Sequence, residues 1–124
     1  MPVVTAPSSP THDLGHTRFT SLASPSRGSC ETSIWQVEID AGSEPTPHSL
    51  SREELFVVLA GTAIVRIDGV EETACAGDAI IVPPGVMFEL HNGASAPLRL
   101  LCCMPVGGQA CMSDGASFTP PWAH

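Results

Sequence analysis

Apolar and polar positions alternate with a period of two along most of this chain, and turn residues interrupt the alternation at short intervals. From Thr32 to Asp40, Ser33, Trp35, Val37 and Ile39 fall on one face and Ile34, Gln36, Glu38 and Asp40 on the other. That predicts a half-buried strand with Trp35 inward. Leu55 to Leu59 reads as a strongly apolar strand, and Thr62 to Ile67 as another with Arg66 in water. Asp68-Gly69 is a two-residue hairpin signal, after which Val70 to Ala76 returns with Glu71 and Glu72 exposed. Ala79 to Val82 reads as a buried strand, stopped by Pro83-Pro84-Gly85. Met87 to His91 places Phe88 and Leu90 on one face, Glu89 and His91 on the other. Leu98 to Met104 turns Leu98, Leu100, Cys102 and Met104 inward.

The ends are less patterned. Residues 1–12 hold three prolines and read as a flexible tail. Arg18 to Leu22 predicts a short edge strand and Pro25 to Gly28 a turn. Beyond Pro105 the glycines and prolines predict an arm (106–124) without regular structure, leaving 13–105 as the folded body. No segment carries a helical period for more than about two turns. About eight or nine short strands with regular turn signals define an all-β sandwich or barrel.

Composition narrows the partners. The 124 residues suffice for one domain with one core, and the hydrophobic fraction of 43% suits a packed globular protein. Asp and Glu total 13 against five Arg and no Lys, for a net charge of −8. That balance argues against nucleic acid and against anionic membrane surfaces, both of which need basic patches. No run of 18 apolar residues spans a membrane, and the N-terminus lacks the basic and apolar regions of a secretory signal, so a cytoplasmic protein is expected. Cys30, Cys75, Cys102, Cys103 and Cys111 have no paired ligand spacing and are expected to be reduced thiols.

Chemistry concentrates between Gly42 and Gly61. A Pro/Gly-rich turn leads into His48, Glu54 follows six residues later, and an apolar strand runs on to the glycine. The spacings are Gly42, five residues, His48, one residue, Leu50, three residues, Glu54, six residues, Gly61. Further on come Gly77, five residues, Pro83, one residue, Gly85, two residues, Phe88, three residues, Asn92. These two stretches resemble the two motifs of the cupin family. The resemblance covers about 50 residues directly and extends plausibly over residues 30–105. It implies a single jelly-roll β-barrel, two antiparallel sheets around a central cavity, commonly assembled as a homodimer.

The resemblance also implies a site. In metal-binding cupins the first motif supplies two histidines and a glutamate, and the second a third histidine. His48 and Glu54 stand at two of these positions, whereas Leu50 and Phe88 occupy the other two and cannot ligate. A divalent ion (Zn, Fe, Mn or Ni) would need a further donor. Cys102 is the first candidate, with His91, if a bulge re-aims it, and Met104 behind it.

Without metal, His48 and Glu54 remain an acid–base pair, because a carboxyl sharing a face with Phe56 and Val58 is desolvated. Trp35, Leu50, Phe56, Phe88, Leu90 and Met104 are expected to line the cavity and to favour a mostly apolar small organic ligand. Function is therefore expected to be that of a small cupin acting on such a molecule as isomerase, cyclase or oxygenase. The alternatives are a non-catalytic binding or sensing barrel, or a relic whose pocket Leu50 and Phe88 fill.

Overall fold

A computed structural model describes residues 2–124. Twelve strands are present: β1 (His12–Asp13), β2 (Thr17–Ala23), β3 (Thr32–Ile39), β4 (His48–Leu50), β5 (Glu54–Ala60), β6 (Thr62–Ile67), β7 (Val70–Cys75), β8 (Ala79–Val82), β9 (Phe88–Asn92), β10 (Leu98–Pro105), β11 (Ala110–Met112) and β12 (Ser117–Phe118). Pro25–Arg27 and Pro121–Ala123 form single 3₁₀ turns. The strands make two antiparallel six-stranded sheets, ordered β1-β2-β3-β10-β5-β8 and β12-β11-β4-β9-β6-β7. Among the described residues no strand of one sheet pairs with a strand of the other, so the all-β jelly roll is a sandwich rather than a closed barrel.

Strand register explains which side chains meet inside. Along β10, Cys102 lies opposite Trp35 on one side and Phe56 on the other, and Phe56 lies opposite Ile80. One inward row of the first sheet therefore reads Trp35, Cys102, Phe56, Ile80, and all four are buried. From the second sheet, Leu50, Ala63, Val65, Ala74 and Phe88 close the core against them. The strand alternations predicted for β3 and β10 hold residue by residue: Trp35, Val37, Leu98, Leu100, Cys102 and Met104 are all buried.

Three expectations are corrected. The stretch after Pro105 is not irregular: β11 pairs with β4 and β12 with β11. Three-residue and two-residue strands are too short to leave a pattern in sequence, and their stability comes from the free edge of β4. The chain end docks as well. Trp122 stacks on Phe19 at 3.6 Å between ring centroids, and the buried Ser33 hydroxyl donates to the Ala123 carbonyl at 2.6 Å. β2 is longer than its apolar signal suggested and lies between β1 and β3 rather than at an edge. β8 is an edge strand, opposite β1, and is only half buried, with Ile81 58% exposed, because its outward side chains face away from the second sheet.

That outer face is continuous. Its rows read Ile34, Cys103, Leu55, Ile81 and Gln36, Leu101, Val57, Ala79. Gln36 is the one polar side chain in these two rows.

Two glycines frame the first motif, each at a φ that side-chain-bearing residues rarely adopt. Gly42 (φ 80°) has open space around it, whereas a Cβ at Gly61 (φ 88°) would sit 2.9 Å from the Pro97 carbonyl oxygen. Gly42→Ala should cost about 1 kcal/mol of backbone strain. Gly61→Ala should cost about 2 kcal/mol or more, since the backbone between β5 and β6 must also move away from the start of β10. Urea denaturation of the two variants checks the order.

Candidate functional site

The two motifs meet in space because β4 and β9 are neighbours. His48 lies directly opposite Phe88 in that pair, and their rings are 4.6 Å apart at 51°. β5 brings Glu54 from the opposite sheet. Between the sheets lies a cavity of about 300 Å³, lined by His48, Leu50, Glu54, Phe56, Phe88, Leu90, Trp35 and Cys102, among others. Its size is at the lower end of the range for small-molecule sites.

Most of the expected site residues therefore converge, and Met104 does not. That side chain is fully buried against Gly108, where even an added Cβ would lie 2.6 Å from its sulfur, and it does not line the cavity. His91 reaches the cavity border with a buried Nδ1 that has no hydrogen-bond partner. Its register pairs it with Ile64 between the inward Leu90 and Asn92, and the β6–β9 ladder has no bulge. Asn92 turns inward, and its side-chain amide donates to the carbonyls of Ile39 and Ala96.

Several lining residues carried no legible signal. Phe19, Phe118 and Trp122 come from the chain's two ends, and Ser43 to Thr46 borders the opening with Glu44. Only the aromatic character of the end residues hinted that they were not solvent-exposed linkers.

His48 and Glu54 differ sharply in their surroundings. The Nδ1–H of His48 donates to the Thr46 carbonyl at 2.8 Å, which leaves Nε2 without a partner among the described residues. Glu54 is 6% exposed, and among the described residues no hydrogen bond or ion pair reaches its carboxyl group. Burial pushes its pKa from 4.5 up to about 8. Burial likewise raises the Cys102 thiol well above its ordinary range, and Glu54 and Cys103 nearby add to the effect.

These environments decide what the site can hold. A divalent ion wants charged donors, yet Cys102 is a buried neutral thiol and Leu50 and Phe88 are inert. Among the described residues no three His, Cys, Asp or Glu side chains gather into a metal-holding group. His48 and Glu54 supply two donors where three or more are usual. The donor set does not fit the divalent centre common in cupins.

Two facing antiparallel sheets around an apolar cavity with a few polar groups define a jelly-roll binding fold. The family model described as Cupin domain matches residues 35–104, more than half of the chain, and the protein belongs to the cupin family. An uncharacterised protein of Methanocaldococcus jannaschii is 28% identical over 72 residues, 57% of this chain and 58% of that one. The chain thus spans less than two thirds of that relative's length. Among solved structures, an RmlC-like cupin from Shewanella frigidimarina superposes with a TM-score of 0.68 at 22% identity, over 79% of this chain and 84% of the other. KdgF from a Halomonas species gives 0.66 at 20% identity, over 76% and 84%. At these identities both show the shared fold. No helix among the described residues is long and apolar enough to cross a membrane.

The raised Glu54 pKa carries a sign for stability. Below about pH 4.5 both folded and unfolded chains keep the proton. Above it the unfolded chain releases the proton while the folded chain holds it, so stability falls as pH rises and the loss is complete above about pH 8. The full effect is about 4 to 5 kcal/mol. Thermal melts from pH 5 to 9 should show wild type losing stability, with Glu54→Gln markedly flatter over the same interval.

Proposed function

We propose that this cupin binds a small, mostly apolar organic molecule between its sheets and moves a proton on it, with Glu54 as donor and the free Nε2 of His48 as acceptor. The observation that supports this most is Glu54 itself, a carboxyl group without a protein partner facing an apolar cavity. Such a group holds its proton at neutral pH and can deliver it to a substrate oxygen or carbon. His48, held through Nδ1, directs Nε2 away from the Thr46 carbonyl, and with the ring neutral that nitrogen can take a proton from a second position. Isomerisation or cyclisation fits this pair, since both move protons without consuming an oxidant. No step in the proposal passes through a metal ion.

One observation favours a second reading, a jelly roll that binds without chemistry. No hydrogen bond joins His48 to Glu54, so each polar group can serve solely to orient a ligand. The two readings separate by variant. On a substrate found among small apolar compounds, His48→Ala should lower kcat by about 10²- to 10⁴-fold. Binding of an uncharged aromatic probe, followed by Trp35 and Trp122 fluorescence, should stay within about threefold. Retained turnover in His48→Ala would reject the catalytic reading, and probe binding with no turnover across the panel favours the second.

We also propose that the apolar outer rows of the first sheet pack against a second copy of the chain, in a homodimer. Apolar surface of this continuity is uncommon on monomers, and the chain's −8 charge is carried elsewhere than these two rows. Leu55→Asp with Ile81→Asp should give a monomer by sedimentation velocity. A wild type already monomeric at micromolar concentration would refute the assembly.

A further inference from the structure

Every large aromatic side chain of this protein lines one cavity. All four phenylalanines (Phe19, Phe56, Phe88, Phe118) and both tryptophans (Trp35, Trp122) border the space between the sheets, and the chain has no tyrosine. Register accounts for part of this. Trp35 and Phe56 flank Cys102 in one inward row. Phe88 faces them from the other sheet, 6.0 Å from Phe56 and inclined by 60°. Trp122 and Phe19 add a stacked pair at the border.

The ionisable lining of the same space combines carboxyl groups with the imidazoles of His48 and His91. Glu54 and Glu44 border it, and among the described residues no arginine does. The chain has no lysine. An anionic ligand such as a carboxylate or phosphate would find no guanidinium or ammonium there, only the two imidazoles, with two carboxyl groups against it.

A buried carboxyl group ordinarily has a partner, because desolvation without one is costly. Glu54, two residues before Phe56 on the same inward face, has none from the protein. Aromatic ring faces carry negative potential and attract organic cations, most strongly when desolvated. A ligand bringing a positive nitrogen would meet both needs together.

We infer that the cavity is a site for a small organic cation, an alkylated or aryl-substituted ammonium group held by the ring faces and counter-charged by Glu54. This rests on the reading that the cavity is the ligand site, and it goes further by assigning the ligand a charge. The apolar substituents of such a cation satisfy the remaining lining. A ligand of this class would ionise Glu54 and draw its proton off to solvent, so in that complex Glu54 is a counter-ion and not a proton donor. The cation site therefore extends the binding reading of the cavity rather than the proton-transfer one.

The test compares benzyltrimethylammonium with neopentylbenzene, its uncharged isostere, by tryptophan fluorescence and calorimetry on the full chain. The expected result is that wild type prefers the cation by about tenfold or more. Glu54→Gln, of the same shape, should reduce cation affinity by about tenfold while the neutral compound stays within about threefold. Phe88→Leu, which keeps the site apolar, should weaken the cation by several-fold more than the neutral compound, and it serves if the Glu54 variant melts early. Equal or tighter binding of the neutral compound to wild type overturns the cation assignment while leaving the cavity as the ligand site. Cation affinity unchanged in Glu54→Gln overturns the role of the carboxylate. Binding of neither compound refutes the cation site, and failure of uncharged aromatic probes to bind as well would take the underlying reading with it.

Discussion

Strand β10 is gripped along both edges, by β3 and by β5, and its register with each decides which side chains face one another in the sandwich. With Cys102 between Trp35 and Phe56, the inward row combines two bulky rings with one small side chain. All three also border the cavity, so the row that builds the core of the first sheet forms one wall of the candidate site. Sliding β10 by one residue would turn Cys103 inward and Cys102 outward, and with it every core residue on the strand. Cavity and core thus depend on the same register.

Glu54 opposes that economy of packing. The first residue of β5 follows the alternation of its strand and so points inward with Phe56 and Val58. Its position costs folding free energy whenever it ionises, in a protein whose net stability is of the order of 5–15 kcal/mol. A residue that weakens the fold and faces a cavity is more readily understood through what enters the cavity than through the core around it. His48 differs, because its backbone hydrogen bond to Thr46 gives it a purely local reason for its orientation.

The departures from the metal-binding pattern act together. Leu50 and Phe88 replace ligands with apolar bulk. Phe88 packs on His48, which places a ring face where a third nitrogen would stand. Cys102 lies on the inward row, but full burial keeps its thiol protonated. The same substitutions that empty the site of donors line it with aromatic surface.

Much of the fold was legible from local order. Period-two alternation in β3, β6 and β10, the Asp68-Gly69 hairpin and the two spaced motifs are properties of neighbouring residues, which the chain displays before it folds. His48 and Glu54 were found through the motif spacings. Met104 was misplaced because inward orientation does not distinguish the cavity from solid core, and that depends on Gly108 several residues away. β11 and the Trp122 turn were missed because their partners, β4 and Phe19, lie about 60 and 100 residues distant in the chain, and β12 because it rests on β11; such short elements leave no local period. By itself the sequence determined the longer strands, their inward faces and the two polar residues of the candidate site. Tertiary structure alone decided how both chain ends complete the aromatic wall and that Glu54 lacks a partner, because pairing and desolvation are set by whatever packs across from a residue.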